Sequence, residues 1–454
     1  MTKQVNLKIN NMHTIGLVLK EMREEKGFPL QQVHKKTKID LTQLSRIENG
    51  KRLPTKEQAL QLATYYKCDK NKILINWLSD KVVYELKQEK FSKEALQVAE
   101  EIITYGKPTT LFPELEIKKQ INLESRRYIG NKAKLTTWIM ETILKETKNS
   151  KSIIDIFSGT ASVSKASFSH FEKVIINDIL YSNNVIYHAF FQIGKWSKEK
   201  LSLILSKWNT LNPDHIDENY FSKNFGGKFY EHNAAKIIGY IREDIEKKKK
   251  DLTPKEYNIL LATLIYNIDK LANTVGHFDA YIKKPIRTRL LNFTLINPID
   301  FRGIEIYREN ANELARKVSA DVAYIDPPYN SRQYSRFYHL YENLVKWKKP
   351  DLFGVALKPR PENMSVYCTV GAKNEFKDLI DNLNVKYIAV SYNNTYSSKS
   401  SSSENKIKLQ EIESILKQKG KTKVFECSHK FFNTGKTEFN DHKELLFITK
   451  VNEK

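Results

Sequence analysis

The sequence predicts an α/β protein in which a Rossmann-like parallel sheet follows a small all-α domain. Residues 152–157 form an apolar run that leads into a loop of small residues and then a helical pattern. A second apolar run, 173–178, ends in an acid, and a third, 322–325, stops at Asp326-Pro-Pro-Tyr329. Such runs favour buried strands, and strand–loop–helix order favours a parallel sheet. Residues 12–88 instead carry apolar residues at helical spacing.

Length and charge limit the class of protein. A chain of 454 residues is expected to hold about two or three domains. A formal net charge of +22 favours a polyanionic partner. The three cysteines are widely spaced, so neither a disulfide framework nor a metal site is expected. Without a signal peptide or a long apolar run, the sequence predicts a cytoplasmic protein that does not associate with membranes.

The first predicted domain, residues 1–88, contains a helix-turn-helix. Asp40 is the expected N-cap of a helix over Leu41–Glu48, and Pro54-Thr55 opens the next helix. Two short helices across a tight turn are typical of this motif. The stretch resembles the Cro/Xre family of helix-turn-helix domains, most specifically in Arg46-Ile-Glu-Asn-Gly-Lys-Arg-Leu-Pro54.

That resemblance implies double-stranded DNA as a partner, with a possible homodimer formed through this domain. It implies two sets of DNA-binding residues, Thr42, Gln43, Ser45 and Arg46 for the major groove and Lys51 and Arg52 for phosphates. A small helical module for protein interaction is the alternative. Residues 89–122 are predicted to be a linker.

The second predicted domain, residues 123–454, begins with a site for an adenosine-bearing cofactor. The loop after the first strand lets a backbone approach a nucleotide closely, and the acid after the second strand can accept hydrogen bonds from ribose. Four motifs follow in order: Tyr128-Ile-Gly-Asn-Lys132, Asp155-Ile-Phe-Ser-Gly159, Asn177-Asp178 and Asp326-Pro-Pro-Tyr329. Together they resemble the Dam-like class of S-adenosylmethionine-dependent DNA adenine-N6 methyltransferases over residues 124–450.

The resemblance implies a Rossmann-like methyltransferase sheet and S-adenosyl-L-methionine as the cofactor. Asn131 and Ala161 depart from the family pattern, since both stand where the family has glycine. For Asn310, a helix N-cap is the alternative to a cofactor contact. The cofactor-binding residues implied are Tyr128, Lys132, Asp155, Phe157, Gly159, Asp178, Asn310 and Asp326.

The motif Asp326-Pro-Pro-Tyr329 suits attack by an exocyclic amine, although alone it also suits an ordinary turn. The Asp326 carboxylate and a backbone carbonyl at Pro327 or Pro328 can accept the two N–H bonds of the amine as positive charge develops. Tyr329 can stack on a base that has been flipped out of the duplex. These four residues are the predicted catalytic set.

DNA contacts are also expected around this motif. Residues 181–310 are predicted to be a target-recognition insert, because basic, aromatic and amide residues on an irregular segment suit groove contacts. Arg332 and Tyr334 are further candidates, from a stretch where basic and aromatic residues alternate.

The sequence therefore predicts a site-specific DNA adenine-N6 methyltransferase, the modification enzyme of a restriction–modification system, with a helix-turn-helix that regulates its own promoter. A DNA cytosine-N4 methyltransferase is the first alternative, since either exocyclic amine suits the motif. A transcription regulator with an inactive methylase fold is the second.

Overall fold

The computed structural model describes residues 14–86, 92, 96, 121–286, 291–394, 405–428 and 443–452. The chain divides into two compact units, Met1–Leu115 and Glu116–Lys454. The predicted α/β fold with a small all-α N-terminal region is confirmed. Most of the predicted linker 89–122 falls outside the described residues. Its last residues belong to the second unit, where Ile121 forms a bridge with Ile296.

The first unit is a bundle of short helices. Asp40 caps the third helix as predicted, since its carboxylate accepts hydrogen bonds from the backbone N–H groups of Thr42 and Gln43. Leu44 and Ile47 point from that helix into the core. The described helices are α1 (Ile15–Glu25), α2 (Leu30–Thr37), α3 (Leu41–Glu48), α4 (Lys56–Tyr65) and α5 (Lys70–Leu86).

The second unit is built on a seven-stranded sheet in the order β3-β2-β1-β4-β5-β7-β6. The first five strands of that order run parallel, whereas β7 lies antiparallel between β5 and β6. The last two strands, β6 and β7, pair with each other antiparallel. The strands are β1 (Ser152–Asp155), β2 (Lys173–Asn177), β3 (Ile304–Tyr307), β4 (Ser319–Ile325), β5 (Asn384–Asn393), β6 (Gly420–Ser428) and β7 (Lys443–Val451).

Helices cover both faces of this sheet, which is why its central strands are apolar on both sides. Two large clusters of buried side chains, one on each face, hold the layers together. The helices are α6 (Thr136–Glu146), α7 (Ser162–Ser167), α8 (Tyr181–Phe190), α9 (Lys198–Asn209), α10 (Tyr220–Phe225), α11 (His232–Lys247), α12 (Pro254–Asp269), α13 (Ala311–Ala315), α14 (Tyr334–Phe337), α15 (His339–Lys346), α16 (Ala372–Asn382) and α17 (Leu409–Lys419). Short 3₁₀ helices occupy Leu123–Ser125, Pro213–His215, Lys249–Asp251 and Val366–Cys368.

The expectation of an irregular segment over residues 181–310 is wrong for most of its length. Helices α8 to α12 occupy 181–269, and β3 belongs to the sheet. Helix α12 is buried along almost its whole length, so it is part of the core. Residues 270–286 and 291–303 remain irregular apart from the bridge at Ile296. A recognition role for the insert stays a prediction.

One close contact fixes the packing of α11. The Asn219 side chain caps α10 and donates a hydrogen bond to the carbonyl of Lys236 at 2.9 Å. A Cβ atom added at Gly239 lies only 1.9 Å from Asn219 Oδ1. Only glycine therefore fits beneath this cap.

We expect Gly239→Ala to lower the free energy of unfolding by about 1–3 kcal/mol, because the added methyl group displaces the Asn219 side chain. Urea unfolding of the full chain measures the change. Tyr240→Ala, at a side chain that is 43% exposed, is the control and should have little effect. Equal stability of Gly239→Ala and the wild type would contradict this account of the packing.

Candidate active site

A cleft lies at the carboxyl ends of β1, β2 and β4. The order of the parallel strands reverses between β1 and β4, and ligands bind in open α/β sheets at such a switch point. Three acids reach the cleft from these strand ends: Asp155 from β1, Asp178 just after β2 and Asp326 just after β4. The parallel register places Asp155 opposite Tyr324, two residues before Asp326.

Many of the residues predicted from sequence line this cleft. All the candidate cofactor residues do so, namely Tyr128, Lys132, Asp155, Phe157, Gly159, Asp178, Asn310 and Asp326. Pro328 and Tyr334 line it as well. Pro327, Tyr329 and Arg332 are not among its lining residues. The roles of all these residues stay predictions.

The loop after β1 is shaped by backbone geometry. Gly159 has φ of 52°, and a Cβ atom there lies 3.2 Å from the Tyr128 ring. Ala161 also adopts the left-handed conformation, with φ of 57°. That conformation costs a residue with a Cβ about 1–2 kcal/mol. Ala161 therefore holds a strained left-handed backbone conformation, and the loop keeps its tight turn although alanine stands where the family has glycine.

The departure at Asn131 makes new contacts. Its Oδ1 atom accepts hydrogen bonds from the hydroxyl groups of Thr160 at 3.2 Å and Ser162 at 3.1 Å. The segment that carries Tyr128 and Lys132 is thereby tied to the loop after β1.

Asp178 organises the same loop. Its carboxylate accepts hydrogen bonds from the backbone N–H groups of Gly159 and Leu180 and from the Asn183 side chain, at 2.8–3.1 Å. Burial raises the pKa of Asp178, and these hydrogen bonds oppose the rise. The buried Arg126 donates in turn to Asn183 Oδ1 at 2.7 Å. Sequence reasoning missed both Arg126 and Asn183, which carry no motif.

Asp155 offers an acceptor that the protein does not use. Its Oδ2 atom accepts a hydrogen bond from Ser164 at 2.5 Å. The buried Oδ1 atom has no partner within the described part of the chain. Burial raises the pKa of Asp155 to about 7. Because an unpaired buried acceptor is costly, this atom suits a ligand that brings a donor or a positive charge.

Asp326 belongs to a buried charge cluster. Lys132 Nζ lies 3.4 Å from Asp326 Oδ1 and 2.5 Å from Glu444 Oε1. It also donates to the Tyr329 hydroxyl, which itself donates to Asp326. Ser391 Oγ donates to Glu444 at 2.7 Å. We call these five residues the Lys132 cluster.

Burial raises the pKa of Asp326 to about 6, Lys132 lowers it, and Glu444 raises it. Sequence reasoning missed Glu444 and Ser391. The available signal was an acid at the head of the apolar strand Glu444-Leu-Leu-Phe-Ile448. Its significance depends on the pairing of β7 with β5, which a single sequence does not reveal.

Aromatic rings form the remaining walls. Tyr128 stacks on Tyr338, with ring centroids 4.7 Å apart. Tyr334 donates its hydroxyl to the carbonyl of Ile129 at 3.2 Å. Tyr329 packs edge-on against Tyr392 at 4.9 Å. The Tyr334 side chain lines the cleft, where a base or cofactor can lie. Its hydroxyl is held by the backbone carbonyl of Ile129.

Asn310 caps a helix, the alternative considered from its sequence. Its Oδ1 atom accepts hydrogen bonds from the backbone N–H groups of Asn312 and Glu313, the start of α13. It also lines the cleft. The cap accounts for the residue without a ligand.

In the first unit, the candidate DNA-binding residues lie on and just after α3. Thr42, Arg46, Lys51 and Arg52 are exposed. Gln43 and Ser45 are half-buried, and Gln43 accepts a hydrogen bond from Gln58 at 3.2 Å. Contacts with DNA stay a prediction for all six.

The described residues offer neither a metal site nor a membrane span. They contain no group of three His, Cys, Asp or Glu side chains able to hold a metal ion. None of their helices is long and apolar enough to cross a membrane.

Comparison with known proteins gives the family. Residues 128–396 match the D12 class of N6 adenine-specific DNA methyltransferases, and residues 16–79 match a helix-turn-helix domain family. The chain belongs to the D12 class N6 adenine-specific DNA methyltransferase family, with a helix-turn-helix region before the matched domain. Both predicted resemblances are confirmed.

Individual relatives carry methylase names. Modification methylase LlaI of Lactococcus lactis subsp. lactis is 31% identical over 291 residues, 59% of this chain and 46% of that protein. Type II methyltransferase M.FokI of Planomicrobium okeanokoites is 31% identical over 348 residues, 71% of this chain and 52% of that protein. Type II methyltransferase M.CviAII of Paramecium bursaria Chlorella virus 1 is 30% identical over 341 residues, 71% and 98% respectively. The chain thus spans about half the length of the first two relatives.

We expect Lys132→Met to destabilise the protein by about 3–5 kcal/mol at neutral pH, because it leaves buried carboxylates without their cation. Without Lys132 the pKa of Asp326 rises further above its unfolded value, so the loss should be larger at pH 8 than at pH 5. Urea unfolding at both pH values measures it. Lys173→Met, which breaks an exposed pair with Glu305, is the control. A loss that does not depend on pH would contradict this account.

Proposed function

We propose that this protein is a site-specific DNA methyltransferase that transfers the methyl group of S-adenosyl-L-methionine to N6 of adenine in double-stranded DNA. The observation that carries the proposal is the position of Asp326-Pro-Pro-Tyr329 beside Asp155 at the switch point of the sheet. Membership of the N6 adenine-specific family favours adenine over the alternative, cytosine N4. The names of the relatives support a role as the modification enzyme of a restriction–modification system.

The cleft fits S-adenosyl-L-methionine in its polar groups and its shape. The unpaired Asp155 Oδ1 atom suits the ammonium group of the methionine moiety. The bare backbone at Gly159 leaves space that a side chain would fill against Tyr128. Asp178, although it already accepts three hydrogen bonds, is the acid nearest the place where ribose hydroxyls bind in sheets of this kind.

S-adenosyl-L-methionine supplies a methyl group bonded to positively charged sulfur, which makes the methyl carbon electrophilic. Asp326 and the carbonyl of Pro327 or Pro328 orient the adenine amine by accepting its two N–H bonds. Their attraction grows as the nitrogen becomes positive, so they favour the transition state over the ground state. Tyr329 supplies an aromatic face to the flipped base.

Charge and atoms balance without a further reactant. Methyl transfer would exchange the S–C bond for an N–C bond and would leave the positive charge on the adenine nitrogen, beside Asp326. The nitrogen then loses one proton. Asp326 receives this proton, since a carboxylate with a pKa of about 6 accepts it more readily than an ordinary one, and solvent removes it.

The helix-turn-helix supplies a second contact with DNA. Exposed Arg46, Lys51 and Arg52 on and after α3 provide charge for phosphates and the groove. The protein forms a homodimer through this unit and represses its own promoter. The alternative is a transcription regulator whose methylase fold is inactive. It predicts that the wild type transfers no methyl group.

We expect Asp326→Asn to reduce methyl transfer by about a hundredfold or more, because the amide is a weaker acceptor and cannot take the proton. Radiolabelled methyl transfer to DNA of diverse sequence measures the rate, and mass spectrometry of digested nucleosides identifies the product. Asp381→Asn, at an exposed acid paired with Lys377, should retain activity.

Absence of transfer by the wild type would reject the enzyme in favour of the regulator. N4-methylcytosine in place of N6-methyladenine would reject the proposed base.

We expect Lys51→Ala in the full chain to weaken DNA binding and to reduce the dependence of log affinity on log salt by about 1, because one phosphate-directed cation is lost. Fluorescence anisotropy with the promoter fragment at several salt concentrations tests this. Lys72→Ala removes the same charge from exposed α5 and should leave the slope unchanged. Equal slopes for Lys51→Ala and the wild type would argue against a phosphate contact just after α3.

A further inference from the structure

Lys132 lies between two carboxylates that come from different strands. Its Nζ atom is 2.5 Å from Glu444 Oε1 on β7 but 3.4 Å from Asp326 Oδ1 at the end of β4. The three side chains are 5–14% exposed. The ammonium group therefore forms its closer contact with the acid that does not line the cleft.

Glu444 is held firmly in this position. It pairs with Asn393 across the antiparallel ladder of β5 and β7, and its residue is 3% exposed. The Ser391 hydroxyl donates to the same Oε1 atom at 2.7 Å. Burying an acid costs stability unless a cation pairs with it. Packing alone therefore does not explain a glutamate at position 444.

We propose that Glu444 is a positioning residue that draws Lys132 away from Asp326 and so keeps Asp326 a strong acceptor for the substrate amine. This inference rests on the proposed function, because it assigns Glu444 a part in that reaction. Glu444 acts through Lys132, without touching the substrate.

The physical reason is competition for one cation. If Lys132 paired fully with Asp326, the ammonium group would occupy and neutralise the carboxylate on which the amine depends. With Glu444 as the nearer partner, Lys132 leaves more of the Asp326 carboxylate open to the amine. Lys132 still reaches the Tyr329 hydroxyl, which donates to Asp326 and orients it.

The charge of Glu444 also acts directly on Asp326. Like charges disfavour a second anion, so the Glu444 carboxylate raises the pKa of Asp326 whereas Lys132 lowers it. Other titratable groups that influence Asp326 or respond to it come from the end of β1, from β4 and the loop after it, and from α14. These are Asp155, Tyr324, Tyr329 and Tyr334.

Glu444→Gln tests the proposal, since it keeps the shape and removes the charge. Lys132 should then move toward Asp326. We expect kcat to fall about tenfold and the acid limb of the pH–rate profile to move down by about one unit, because one unit of pKa is a factor of ten in proton affinity. The pKa of Asp326 falls when a neighbouring negative charge is removed, so the limb must move to lower pH.

Two further variants separate charge from structure. Glu444→Asp keeps the charge and shortens the reach, so its acid limb should stay at the wild-type pH even if kcat falls. Glu426→Gln removes an exposed acid on the adjacent strand β6 and should change neither quantity. Thermal unfolding of each variant checks that it is folded.

Methyl transfer by the full-length protein from pH 5 to 9 is the measurement. If the wild type is active and the acid limb of the Glu444→Gln pH–rate profile stays at the wild-type pH, the role of Glu444 is overturned. The proposed function then stays intact. An equal shift in Glu444→Asp also overturns it, since the charge is retained there. An inactive wild type overturns the proposed function itself, and this inference with it.

Discussion

The structure of the cleft depends on one buried ammonium group. Lys132 joins three parts of the second unit that are far apart in sequence: the segment before α6, the end of β4 and the start of β7. Two carboxylates and a tyrosine hydroxyl meet around it at low exposure. Burying these acids costs several kcal/mol each, and a shared cation offsets that cost only with good geometry. The positions of Asp326 and Tyr329 therefore depend on a residue almost two hundred positions earlier in the chain.

The sequence predicted the parts of the site that local chemistry determines. Asp326 follows an apolar run and precedes two prolines, so it must lie at a strand end. Asp178 closes the run predicted as the second strand, whereas the strand predicted over 152–157 ends in the structure at Asp155. Glu444 could not be found like this, because its proximity to Lys132 results from the register between β5 and β7, in which Glu444 faces Asn393. Such pairings involve long-range contacts that no short pattern encodes.

For the insert, residues 181–310, the prediction of an irregular segment was wrong. Basic and amide residues between 181 and 310 favoured an irregular surface, yet helices occupy most of it. In α11, charged residues alternate with the buried Ile237, Ile238, Ile241 and Ile245, which follow a helical period. The prediction gave more weight to the basic and amide residues of the insert than to this helical period. At Ala161, which stands where the family has glycine, the backbone keeps a glycine-like conformation.

The position of β7 has a consequence for how the protein is made. Asp326, Asp155 and Lys132 are all synthesised well before residues 443–451, which form β7 between β5 and the edge strand β6. Because β6 is joined to the sheet through β7, Lys132 meets its nearer acid only when β7 has paired with β5. Residues 14–86 need no such delay, because their helices pack on one another within a short stretch of chain. The helix-turn-helix region can therefore fold before the cleft is complete.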